Sequence, residues 1–263
     1  MADTKISDLP TDIVTLASGD KFPVADVSAL SADTYATALE IKTFVNTAPQ
    51  FAAGTSSANT HPEFTTGALL TTAEAGAMEY VSPVLYISPA ASCRATAPLK
   101  MWASNTSDFT MGNVATAQAW LAAANDTLTL PAGNTTYFFD MLYAVEGMGA
   151  TTRTTGMLFG GTATISAIRY TALIQTGAAN ALGTTQSTKM CAAATNQVLN
   201  ATVATAAEYI RASGIIRVST TGTLIPQIQW SANPTGTILC KAGSYFMLWA
   251  AGTDTMAAVG NWA

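Results

Sequence analysis

Glu208-Tyr209-Ile210-Arg211-Ala212-Ser213-Gly214-Ile215-Ile216-Arg217-Val218 carries the clearest period in the chain. Ile210, Ala212, Ile216 and Val218 share one face, and Tyr209, Arg211, Ser213 and Arg217 share the other. A period of two is that of a strand with one buried and one wet face. Just downstream, Leu224-Ile225-Pro226-Gln227-Ile228 reads as a second strand, but Pro226 has no N–H for a ladder, which predicts an edge or a bulge there. Further on, Tyr245, Met247 and Trp249 alternate with Phe246, Leu248 and Ala250. Apolar residues on both parities predict a strand covered on both faces, inside a sandwich or against another subunit.

Upstream the same pattern recurs, with segments of β type separated by Gly, Asn and Pro turns. Strands are predicted near 83–88, 126–131, 135–146, 151–159, 162–174, 196–203, 206–219, 223–230 and 244–250. The Ala-rich stretch Ala115 to Ala124, with Gln118 and Trp120, reads as a short helix. No helical pattern is long enough for parallel crossovers and no fixed-period repeat is present. The sequence therefore predicts a mainly β protein with an antiparallel β-sandwich or jelly roll over 81–263.

The N-terminal part reads differently. Residues 1–30 form an extended segment punctuated by Pro10 and Pro23, with isolated apolar anchors at Ile6, Leu9, Val14, Phe22 and Val24. Such a segment has too little apolar area to fold alone and becomes ordered by borrowing a partner's surface. Ser31 or Asp33 is placed to cap a helix running to about Asn46, which Pro49 stops. From Gln50 to Pro62 the composition is that of a linker, so 31–62 reads as helix and linker and 63–80 as a junction to the β-domain.

Composition narrows the function classes. Among 263 residues there are 50 Ala and 42 Thr, while charged residues make up 10% against a usual value near 25%. With 49% hydrophobic residues the chain folds, and its surface is covered by Thr, Ser, Asn, Gly and Ala. Residues 1–80 hold 3 basic and 10 acidic residues and the remainder 8 and 6, for an overall net charge of −5. Scattered single cations at that balance give no footprint for nucleic acid. No apolar run approaches the roughly 20 residues of a membrane span, and the N-terminus lacks the basic and apolar regions of a signal peptide. Maturation in a cytoplasm is the expectation. Cys93, Cys191 and Cys240 lack CxxC spacing and a neighbouring His, which predicts free thiols rather than disulfides or a zinc site.

Catalytic motifs are missing from the pattern: no nucleophile elbow, Walker A loop or HExxH occurs. The one histidine, His61, stands in the linker beside Pro62, without support for a triad or a metal. Asp140 and Glu146 share a parity on one strand, yet six residues at roughly 3.3 Å put them about 20 Å apart, too far for glycoside hydrolysis. No catalytic, cofactor-binding or metal-ligating residue is expected. Trp102, Trp120, Trp230 and Trp262 are candidates for stacking on a sugar ring, with core or interface packing as the alternative.

Three parts of the chain resemble a known family. Lys5-Ile6-Ser7-Asp8-Leu9-Pro10, Ser18-Gly19-Asp20-Lys21-Phe22-Pro23-Val24-Ala25-Asp26 and the lead into Ala38-Leu39-Glu40-Ile41-Lys42-Thr43-Phe44 resemble the N-terminal segment of tailed-bacteriophage fibre and structural proteins. Phe64-Thr65-Thr66-Gly67-Ala68-Leu69-Leu70-Thr71-Thr72-Ala73-Glu74-Ala75-Gly76-Ala77-Met78-Glu79-Tyr80 is similar to the junction before their β-domain, departing at Ala73, where Pro is expected. Leu128 to Phe139 and Gly243 to Trp249 are similar to their distal domain. The resemblance implies a homotrimeric virion appendage, assembled in the host bacterial cytoplasm and without catalytic residues.

Read together with the pattern, it makes Ile6, Leu9, Pro10, Phe22 and Val24 the expected virion-docking residues. Tyr80, Tyr245, Met247 and Trp249 are the expected trimer interface. The expected partners are other copies of the chain and a virion protein, either a tail adaptor or nozzle or the major capsid protein. A head fibre or capsid decoration protein is the alternative to a tail fibre, and a host surface glycan is a further possible ligand. Neither nucleic acid nor membrane insertion is expected.

Overall fold

In the computed structural model the described residues are 21–24, 34–37, 64, 66–123, 126–178, 185–255 and 258–259. The chain divides into two compact units, Met1–Glu63 and Phe64–Ala263. In the first, β1 (Lys21–Val24) pairs antiparallel with β2 (Thr34–Thr37), Lys21 opposite Thr37 and Val24 opposite Thr34. The helix expected to start at Ser31 or Asp33 is thereby corrected over 34–37. Thr and Tyr at 34, 35 and 37 are β-formers, and a paired partner strand outweighs a marginal helical spacing. The rest of that expected helix lies outside the described residues.

In the second unit every strand pairing is antiparallel and no helix occurs among the described residues. A three-stranded sheet runs β3 (Met78–Val81), β4 (Val84–Ala90), β5 (Cys93–Ala97). The largest sheet is built on β10 (Thr135–Met148), β12 (Thr164–Gly177) and β15 (Ala207–Thr220), each of 14 residues. Its order is β13 (Thr185–Cys191), β12, β15, β10, after which two strands share the free side of β10. β18 (Tyr245–Thr253) lies along its first half and carries β6 (Lys100–Ser104), while β17 (Gly236–Cys240) lies along its end and carries β7 (Phe109–Thr110). β18 leaves β10 after Leu142 and β17 joins it at Val145, and a bulge follows between Glu146 and Met148, where Gly147 adopts φ 78°. The five-stranded sheet orders β14 (Gln197–Val198), β11 (Thr155–Gly160), β16 (Thr223–Trp230), β8 (Gln118–Ala119), with β9 (Leu128–Thr129) also on β16.

One hydrophobic cluster draws on both of these sheets. Tyr137, Phe139, Met141, Tyr143 and Val145 enter it from β10, and Ile210, Ala212, Ile216 and Val218 from β15, the parity read from the sequence. Phe139 meets Phe159 of β11 edge-on at 5.5 Å between ring centroids and Tyr170 of β12 at 5.9 Å. Gly214 stands between Phe139 and Tyr170 in the register, and a Cβ there would lie 2.6 Å from the Tyr170 Cα. The missing side chain is what lets the two rings meet across the intervening strand.

Two further expectations change. Residues 115–123 are not helical: Gln118 and Ala119 pair with β16, and the Gln118 amide closes on both backbone groups of Gly112. Trp120 is buried and stacks on Tyr143 at 4.7 Å, so tertiary contacts override Ala propensity. β16 has neighbours on both sides rather than lying at an edge, yet β9 ends opposite Leu224 and β8 begins opposite Gln227. Pro226 falls within that interruption, where no ladder donor is needed.

Candidate intersubunit face

Antiparallel register puts directly opposite residues on the same side of a sheet, so the outer face of the large sheet reads row by row. The middle row crosses from Trp102 of β6 through Met247, Asp140 and Ser213 to Thr171. One row away stand Lys100, Trp249, Phe138, Ile215 and Arg169. On the other side stand Ser104, Tyr245, Leu142, Arg211 and Leu173. Apolar side chains stand in every row, the middle row runs on from Thr171 to Met190 of β13, and Asp140, Ser213 and Arg211 stand among them.

The exposures make the face unusual. Trp102 is 68% exposed, and Phe138, Leu142 and Ile215 are 37%, 38% and 37% exposed, although all belong to long or paired strands. Phe138 packs against Trp249 at 5.9 Å, and the Lys100 ammonium lies 5.3 Å from the centroid of the Trp249 ring. The strand over 245–250, expected to be covered on both faces, buries Phe246, Leu248 and Ala250 and leaves Tyr245, Met247 and Trp249 half-buried. Within one chain it is therefore covered on one side.

A polar triad sits inside the apolar field. The Tyr245 hydroxyl donates to Asp140 Oδ1 at 2.6 Å, and Arg211 Nη2 lies 3.9 Å from Asp140 Oδ2. That bond to the carboxylate raises the Tyr245 phenol above its ordinary value and keeps it neutral. Glu146 belongs to a separate network, accepting from the Tyr209 hydroxyl at 2.7 Å with Lys241 Nζ at 3.8 Å. Lys241 also pairs with Asp108, which lowers the Asp108 carboxyl and raises the Lys241 ammonium. The two carboxylates of β10 thus serve different partners.

A second apolar surface lies on the three-stranded sheet. Met78 is opposite Ile87, and Tyr80 opposite Leu85. Met78 and Ile87 are exposed, and Tyr80 and Leu85 are half-buried. The four expected interface residues thus divide between two surfaces, Tyr80 on this sheet and Tyr245, Met247 and Trp249 on the large one. Phe138, Leu142 and Ile215 were not singled out by sequence reasoning, although apolar residues on both parities of 137–143 carry the same signal as 245–250.

Of the expected docking residues, Phe22 and Val24 fall in β1, and Ile6, Leu9 and Pro10 lie outside the described residues, as do His61 and Trp262. Trp120 and Trp230 are buried, which removes them as stacking candidates. Cys93, Cys191 and Cys240 are free thiols, and among the described residues no group of three or more His, Cys, Asp and Glu is placed to hold a metal. No family model, curated protein or solved structure matches the chain.

Proposed function

We propose that this chain is a structural component of a bacteriophage virion, a homotrimeric tail-fibre-like appendage anchored through its N-terminal unit and displaying a jelly-roll β-domain. The observation that carries the reading is the organisation around Phe64. The division between compact units falls at the start of the stretch that resembles a fibre junction. That stretch folds back on itself, the Gly67 amide donating to the Tyr80 carbonyl and the Leu70 amide to Glu79, and Arg94 of β5 clasps it by donating to both Glu79 and the Leu70 carbonyl. An acidic, Pro-punctuated segment ahead of such a collar suits a docking peptide that orders on its partner.

Deleting residues 1–30 tests this. The expected result is an unchanged melting midpoint together with loss of attachment to the particle, because none of the strands of the second unit is touched. A truncated chain that melts much earlier and still decorates particles overturns the docking role. A head fibre or capsid decoration protein uses the same parts on a different virion partner. A glycan-binding role has one observation of its own, the 68% exposure of Trp102, which is the geometry of a stacking platform.

A further inference from the structure

We draw no further inference here: the strongest candidate, the outer face of the large sheet from Trp102 of β6 to Met190 of β13, mixes exposed apolar side chains with Asp140, Ser213 and Arg211, and nothing in the structure shows what covers it.

Discussion

Arg153 and Glu208 have fully buried side chains, and their surroundings are unequal. Arg153 reaches the carbonyls of Thr151 at 2.9 Å and Thr205 at 2.9 Å, while Glu208 accepts from the Thr155 hydroxyl at 2.8 Å and the Trp230 indole at 3.2 Å. Their own contact is 3.5 Å. Burial raises the Glu208 carboxyl above its ordinary value, against the lowering pull of Thr155 and Arg153. The native state therefore holds a proton that the unfolded chain releases, and stability falls as pH rises from the ordinary carboxylate range through the raised native value. Glu208→Gln does not titrate, so its stability curve should lack that slope; an identical slope in both proteins would contradict the assignment. Glu208→Ala strands the buried Thr155 hydroxyl and Trp230 indole N–H, at a cost of about 1–3 kcal/mol each in denaturant titration.

At the scale of elements, the collar over 66–97 depends on Glu79. Hydrogen bonding from Arg94, and then from the Leu70 amide, lowers the Glu79 carboxyl. Its contribution is present above the ordinary carboxylate value and lost as pH falls through the lowered native one. Glu79→Gln should speed hydrogen exchange at the Leu70 amide while leaving β10 and β15 amides protected. Equal exchange at Leu70 in both proteins would show that the clasp does not hold the junction. The long strands at 162–174 and 206–219 were legible in their β-type composition, with clear alternation over 208–218, and 135–146 was legible as an apolar run of both parities between turn residues. β13 was not, since Thr185-Gln186-Ser187-Thr188-Lys189-Met190-Cys191 is an edge with little apolar period to read. β6 was missed for being short, which hid the fact that Trp102 stands opposite Met247. The outer face was partly legible in Tyr245, Met247 and Trp249. Its other half required the register of β10 against β15, which no single segment contains.

For the whole molecule, low charge and a half-bare apolar sheet belong together. A chain with 10% charged residues covers its surface with Thr, Ser and Ala, and the outer rows of the large sheet do not follow even that rule. On the proposed function, self-association is expected to cover that sheet, and attachment through residues 1–30 is expected to be a separate property of the other unit. The most direct test of that claim is the mass of the full-length chain in solution, by light scattering coupled to size exclusion at micromolar concentration. The predicted result is a single species of about 81 kDa, three times the 27.1 kDa of one chain. A stable, soluble 27.1 kDa species that persists across that concentration range would contradict the account.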